Sequence, residues 1–577
     1  MKKQQPKPQS TSAASTITAQ QSFIDKYANV IAIAITAITA IMSLLLFNMR
    51  VDEGGDDSAY ICRAFDLIES GRYPSYQGPL YPMFLAVVIS IFGSSLFVLK
   101  LTSLLFITAS QWIFYRSLRG RVNVRLLLMV MAIISINSWY LAYASLTYSE
   151  AMFIFVEFCI TWLVLRYESC ECDGWLSALK GALPIAALVV AAILIRTMAL
   201  AIIVAIVVYM LTSRQWRKAL AVTGLTIALS FAWLGVRTAI WGSKVDHGGS
   251  QLEQLTRKHP YEIEKGQEDF KGYLGRIVDN SKLYLSKRMM YVLGFKKESD
   301  RTLSTFTTLL FYALFIAGGF FGYKRNRAVF WLAILTAATL GLTFVMLQAL
   351  WDQQRLIIPS IVTGFTVMLY GIYNLLKLVT RKFAPYITML IGIIVCFTSI
   401  AQTGEKIDLM ALRKNMQGDN IYGYTTDFYN YLALCKYCGT LPKDCFVACR
   451  KPEMARIYCG GRQFYGIYNF NTEDPDELID RLRKNKVTHI ITASLRRDPL
   501  VPRDKIINTV HRYCYFVMQK YPKAFVFQKM VGSENNEPAS LFAIDYEHVD
   551  AVRQQLAAAS SPNETNGNES KADNTLN

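Results

Sequence analysis

A chain of 577 residues that is 53% hydrophobic and only 18% charged, with a mean hydropathy of +0.25, is too apolar for a soluble protein of this length. Its formal net charge of +18 would suit nucleic acid if it covered one soluble face. The basic residues instead sit in short clusters between apolar runs, which points to a lipid bilayer and away from nucleic acid.

Residues 1–27 are rich in Ser, Thr, Gln and Pro and read as a disordered cytoplasmic tail. The first apolar run is long enough to remain as an anchor, so no cleavable signal is expected. At ~20 residues per crossing, spans are expected near 28–47, 96–115, 126–141, 150–165, 181–195, 198–212, 219–240, 305–322, 328–350, 356–376 and 384–402, about eleven in all. Basic clusters fall at every second connection: Arg116/Arg119/Arg121/Arg125, Arg214/Arg217/Lys218, Lys324/Arg325/Arg327 and Lys377/Arg381/Lys382. With Lys2, Lys3 and Lys7 they should stay cytoplasmic, which puts the C-terminal region outside.

Two stretches are set by parity. Pro79–Phe92 cannot cross without turning the cluster Arg116–Arg125 outward, so it is expected as a juxtamembrane or re-entrant helix. The stretch 181–212 carries Arg196 at its centre, and a hairpin of two short helices with Arg196 at the outer turn avoids burying that cation at mid-membrane. The outer face then carries loops 48–95 and 241–304. In the second of these, Arg276 to Leu293 is amphipathic, with Lys282, Lys287 and Arg288 interspersed, as in a helix lying in the interface.

Residues 405–559 alternate helix and strand patterns and are expected to form an extracytoplasmic α/β domain, followed by a solvated tail at 560–577. Strands are expected at 445–449, 464–470, 487–492, 524–528 and 541–546, and helices at 425–437, at 474–485 behind Asp474-Pro475, and at 504–520. Six of the eleven cysteines, Cys435, Cys438, Cys445, Cys449, Cys459 and Cys514, lie there. An oxidising compartment would permit disulfides, with connectivity left open. Zinc at Cys435, Cys438, Cys445 and Cys449 is disfavoured, because the second pair has the wrong spacing and no histidine is near; unpaired thiols are the plain alternative.

The candidate chemistry sits in the first outer loop, where Asp52-Glu53-Gly54-Gly55-Asp56-Asp57-Ser58-Ala59-Tyr60 places carboxylates at a membrane face. Neither phosphate-cradling glycine pattern, G-x-x-x-x-G-K-[ST] or G-x-G-x-x-G, is present, so an activated substrate would have to arrive in the bilayer. A polyprenyl-phosphate-linked sugar meets that need. Its transfer to a hydroxyl requires a carboxylate base and cations for the departing phosphate.

The order of parts resembles the GT-C superfamily of polyprenyl-phosphate-sugar-dependent glycosyltransferases, which includes protein O-mannosyltransferases and lipid A aminoarabinose transferases. Their Asp-Glu-x-x-(Tyr/Phe) matches Asp56-Asp57-Ser58-Ala59-Tyr60 with Asp in place of Glu. Gly78-Pro79-Leu80-Tyr81 resembles their Pro-Pro-Leu, Tyr148-Ser149-Glu150 their acidic residue at the start of a span, and Arg355-Leu356-x-x-Pro359 their Arg-Tyr-x-x-Pro. The resemblance spans residues 28–402 and implies a GT-C-like transmembrane domain over 28–404. It implies Asp56 as catalytic base with Asp57 as its neighbour, and Tyr60, Arg63, Glu150, Arg196 and Arg355 about the substrate. The lysine that precedes Pro-Pro-Leu in aminoarabinose transferases is Gln77 here, and the arginine before their tyrosine is Ala59. The donor phosphate therefore falls to Arg63, Arg196 and Arg355. No cofactor is required by the pattern, although the carboxylates could hold a divalent metal ion.

Plainer readings accompany each residue. Asp56, Asp57 and Ser58 precede the amphipathic set Ile61, Ala64, Phe65 and Ile68 and could simply cap and charge a helix. Glu150 could serve a helix N-terminus, Arg196 and Lys100 could snorkel, Arg355 could pair with Asp352, and His247 and His259 could be ordinary loop residues. The reading as a whole is an inverting glycosyltransferase acting on a lipid-linked donor and a hydroxyl acceptor on protein, lipid or glycan. The alternatives are a transporter or flippase of lipid-linked sugars, a glycan ligase or polymerase, and, more remotely, a scaffold.

Overall fold

The computed structural model describes residues 12–242, 251–260, 263–297, 300–468, 472–495, 509–533 and 536–560. The extreme N-terminus, the end of the strand expected to reach Phe470, the helix start expected at 504–508, the tail 561–577 and His247 lie outside them. Two compact units are present: Met1–Asp52 with Tyr60–Gly418, and Glu53–Ala59 with Asp419–Asn577. The first unit runs to Gly418, and Leu412 packs on its core.

In chain order the helices up to Gly418 are α1 (Ser12–Leu45), α2 (Asp56–Ser70), α3 (Leu80–Phe92), α4 (Leu96–Leu118), α5 (Val124–Ser135), α6 (Ser138–Ala142) and α7 (Ser149–Ser169). They continue with α8 (Trp175–Ile195), α9 (Leu200–Thr212), α10 (Trp216–Trp241), α11 (Gln251–Thr256), α12 (Phe270–Ser281) and α13 (Met289–Val292). The last are α14 (Thr305–Arg325), α15 (Arg327–Met346), α16 (Ile358–Val379), α17 (Ala384–Gly404) and α18 (Leu409–Met416). Helix α1 begins inside the tail expected to be unstructured, because extending an existing helix costs far less than nucleating one.

Eight helices among the described residues are long and apolar enough to cross a bilayer: α1 from Phe23, α4, α8, α10, α14, α15, α16 and α17. Val124–Ser135 and Ser138–Ser145 pass together as one span bent by 58°. The bend falls at Asn137, whose side-chain oxygen accepts from Tyr140 N while its amide donates to the Val292 carbonyl. The expected total of about eleven also counts α7, which carries Glu150 and Glu157, and the 13-residue α9.

The basic clusters meet at one end of this unit. Arg119 pairs with Asp25, Arg121 reaches Ser169 and accepts from Asn326, and Arg327 reaches Glu168 and Ser213. Lys218 is 5% exposed and donates to the carbonyls of Tyr167, Glu168 and Cys170, closing the C-terminal end of α7 where the helix dipole favours a cation. Helix α7 ends among these residues and α8 begins near them, so Glu150 at the start of α7 and Arg196 just past α8 lie at the opposite end.

The second unit holds α19 (Thr426–Cys438), β1 (Val447–Cys449), α20 (Pro452–Tyr458), β2 (Tyr465–Gly466), α21 (Pro475–Lys484), β3 (His489–Ala493), α22 (Thr509–Lys520), β4 (Phe525–Val531), β5 (Ala539–Ile544) and α23 (Tyr546–Ser560). The sheet order is β2-β1-β3-β5-β4. The first three strands are parallel, and β5 runs antiparallel to both β3 and β4. Each expected strand has a counterpart. Helices α20 and α23 were not anticipated, the first because it is only seven residues long. Asp474 Oδ1 accepts from Asp476 N at 3.0 Å and starts α21 as the Asp-Pro pair suggested. Among the described residues no cysteine forms a disulfide.

Candidate active site

The acidic segment enters α2 through Gly55, whose φ of +94° a residue with a Cβ would resist. Its carbonyl accepts from Ala59 N at 3.0 Å and from the Ser58 hydroxyl at 2.8 Å. Asp56 and Asp57 form the first turn, where the helix dipole favours carboxylates. Asp57 is fully buried. Both aspartates belong to the second unit, and from Tyr60 onward α2 belongs to the first.

Within the first unit, Glu150 is the hub. It is 1% exposed, and Oε1 lies 2.8 Å from Arg196 Nη1 and 3.7 Å from Arg355 Nε. Arg196 also donates to the Ser149 hydroxyl at 3.2 Å, and the Tyr60 hydroxyl lies 3.2 Å from that same oxygen. Burial raises the Tyr60 phenol above its usual pKa; Arg196 opposes the shift, Glu150 adds to it, and Ser149 and Arg355 oppose it. Arg355 stacks over the Tyr148 ring at 5.1 Å, and Tyr148 donates to Asp52 Oδ2 at 2.7 Å. Arg63 stacks on Tyr60 and Tyr76 and donates to the Tyr76 carbonyl at 3.2 Å.

Local backbone sets these positions. Helix α8 ends at Ile195, Arg196 is extended at φ −149°, and a 3-10 turn leads into α9, so the cation stands at a turn as expected. Gly78, at φ +97°, closes over this turn, and a Cβ there would come within 2.3 Å of the Ile195 carbonyl oxygen. Lys100 does not snorkel. It is wholly buried and donates to the carbonyls of Arg50 and Ser145 and to Asn48 Oδ1, tying the segment before Asp52 to the segment before Tyr148.

The expected pairing of Arg355 with Asp352 is replaced. Asp352 Oδ2 receives Lys287, while Oδ1 receives Arg288 Nε at 2.5 Å, and Arg355 turns to Glu150. Burial works against the Asp352 carboxylate, but hydrogen bonds from Arg288 and Lys287 outweigh it and hold its pKa below the ordinary value. Lys287 and Arg288 lie in a π-helical turn, Lys282–Arg288, between α12 and α13; such turns concentrate at functional sites. The amphipathic stretch thus exposes Phe270, Leu274 and Val278 on one face, as an interfacial helix would, but buries Arg276, Lys287 and Arg288 in protein contacts.

An apolar cavity of about 230 Å³ is lined by neighbours of these cations in sequence. Its walls include Leu285 and Met289, which flank Lys287 and Arg288 in sequence, Ile357, two residues past Arg355, and Phe344. The structure brings Tyr60, Arg63, Glu150, Arg196 and Arg355 into one network. The sequence reading missed Asp52 and Ser149 as members of it, and Lys287 and Arg288 as the partners of Asp352. Asp52 stood in the quoted acidic segment, and Lys287 and Arg288 were visible only as cations on an amphipathic face. Among the described residues no three His, Cys, Asp or Glu side chains gather as a metal-ligand group.

No protein-family model matches the chain, and no curated protein matches its sequence. Among solved structures, ArnT from Cupriavidus metallidurans bound to undecaprenyl phosphate superposes with a TM-score of 0.51 at 11% identity, covering 89% of this chain and 97% of that one. The oligosaccharyltransferase of Archaeoglobus fulgidus tethered to an acceptor peptide matches at TM-score 0.49 and 11% identity, over 90% of this chain and 74% of that one. The mycobacterial arabinofuranosyltransferase AftD matches at TM-score 0.40 and 11% identity, over 88% and 41%. The chain shares the fold of this ArnT structure, a multi-pass helical membrane unit followed by a small α/β domain.

Proposed function

We propose that this protein is a membrane glycosyltransferase that moves a sugar from a polyprenyl-phosphate donor to an acceptor hydroxyl at the extracytoplasmic face. The observation that carries the proposal is a largely buried group of cations on the same turns that contribute residues to an apolar cavity. Arg196, Arg355, Lys287 and Arg288 face the two carboxylates of Glu150 and Asp352, and residues of the same turns line about 230 Å³ of apolar space. A ligand with an anionic head and a hydrocarbon tail satisfies both halves. The fold agrees, since the ArnT it resembles was crystallised with undecaprenyl phosphate. The gathering of basic loops at the far end of the same helices supports an extracytoplasmic site and a cytoplasmic N-terminus.

In this reading Asp56 takes the proton of the acceptor hydroxyl as its oxygen bonds to the anomeric carbon. The bond from that carbon to the phosphate oxygen breaks, and the phosphate leaves with the electron pair, stabilised by the arginines. A single displacement inverts the anomeric centre. Asp57, buried in the first turn of α2, would fix the start of that helix. The test is transfer by purified protein from labelled polyprenyl-phosphate sugars to candidate acceptors. Asp56→Asn should lower kcat by about 10²–10⁴-fold with donor binding retained. Full activity in that variant overturns the assignment of the base, and passage of intact donor across vesicles without glycosidic cleavage favours a flippase.

A further inference from the structure

The second unit contains more than the C-terminal α/β domain: it also takes in Glu53–Ala59. The Lys451 side chain bonds the two stretches together. Lys451 Nζ donates to the Glu53 carbonyl at 3.1 Å and to the Gly54 carbonyl at 3.2 Å. It packs so closely beneath the turn that a Cβ at Gly55 would lie 3.5 Å from it. The next carbonyl, that of Gly55, starts α2 and so sets where Asp56 and Asp57 stand.

Lys451 is itself held firmly. It follows β1, at the C-terminal end of a parallel strand, where α/β sheets present their functional groups. Its carbonyl accepts from Ala455 N at 3.0 Å to open α20 and from the Tyr431 hydroxyl at 3.1 Å, and its own N–H donates to that hydroxyl at 3.3 Å. Tyr431 is 1% exposed. An ammonium on a fixed backbone, aimed at two successive carbonyls, is a means of fixing a loop, because bonds from a charged donor are stronger than those from a neutral one.

We infer that Lys451 is a positioning residue that lets the α/β domain hold the acidic loop in its working geometry. The inference rests on the reading of Asp56 as the base, and it goes beyond that reading by giving the C-terminal domain a part in catalysis. A loop released by removing the ammonium would leave Asp56 chemically intact but misplaced, an error that costs rate more than substrate affinity.

The experiment compares wild type, Lys451→Met, Lys451→Arg and Asp56→Asn as full-length protein in lipid nanodiscs, using the transfer assay and hydrogen exchange of the peptide covering 53–60. Lys451→Met should lower kcat about 10- to 100-fold with donor KM within about twofold of wild type. It should also speed exchange in 53–60 while leaving the peptides of β3 and β5 unchanged. Lys451→Arg, which can still donate to both carbonyls, should restore most of the rate. Wild-type kcat in Lys451→Met, or unchanged exchange at 53–60, overturns the inference even if Asp56→Asn is inactive. Faster exchange in Lys451→Met alongside a fully active Asp56→Asn would instead sink the assignment of the base and leave the loop contact standing. General loss of protection across β3 and β5 would show Lys451 to be a folding residue and overturn the positioning role.

Discussion

Replacing Glu150 by Gln preserves the shape of the site and removes one charge. In the structure that charge faces Arg196 at 2.8 Å and Arg355 at 3.7 Å while only 1% of the residue is exposed. With an effective dielectric of about 20, the gross attractions at those separations are about 6 and about 4.5 kcal/mol. Desolvation offsets much of that, and removing one partner of a buried pair typically costs about 3–5 kcal/mol net. At roughly 2 °C per kcal/mol for a large domain, the unfolding midpoint should fall by about 6–10 °C. The two arginines then lose the Glu150 charge, and an anionic ligand should compensate for it. A short-chain polyprenyl phosphate should therefore raise the midpoint of Glu150→Gln by more than it raises that of wild type. The assay is thermal unfolding in detergent with and without that lipid, with the uncharged polyprenol as control. An unchanged midpoint, or an equal response to the lipid in both proteins, would refute Glu150 as the counter-ion of the phosphate site.

Gly78→Ala forces a Cβ against the Ile195 carbonyl and adds positive-φ strain, so it should destabilise by about 2–4 kcal/mol and raise donor KM through the displaced Arg196 turn, read by thermal unfolding and donor titration. In the second unit, burial works against the Asp476 carboxylate, but hydrogen bonds from Lys520, Tyr521 and Arg553 prevail and bring its pKa down to about 2. A depressed folded pKa means stabilisation that is present above the unfolded value near 4 and is lost as pH falls toward 2. Hydrogen exchange in α21 and α23 should accelerate across that window. Asp476→Asn should flatten the response and cost about 1 kcal/mol or less at neutral pH, because this exposed cluster is screened.

Much of this was legible because it is local. Apolar run length marked the spans, the short basic clusters marked one end of the helices, and Asp56-Asp57 ahead of Ile61, Ala64 and Phe65 marked the start of α2. The turn at Arg196 followed from the cost of a cation between two apolar half-helices. The partners of Arg355 and Asp352 were not legible. Asp352 is three residues from Arg355, and sequence proximity favoured that pair. The π-helical turn instead delivers Lys287 and Arg288 to Asp352, and α7 delivers Glu150 to Arg355. Lys100 misled for a similar reason, since a lone lysine in an apolar helix looks like a snorkelling one until the carbonyls of Arg50 and Ser145 are seen beside it.

Periodicity and charge placement by themselves determined that the chain is helical and membrane-spanning, where the acidic segment and the arginine between two apolar half-helices stand in the sequence, and that an α/β domain follows. Tertiary packing alone decided that residues as far apart as Asp52, Glu150, Arg196 and Arg355 belong to one network, that Lys287 meets Asp352, and that Lys451 reaches the loop of Glu53 and Gly54. The reason is physical: backbone propensity and amphipathicity act over a few residues, whereas a buried charge takes whichever partner the packed helices bring within about 4 Å.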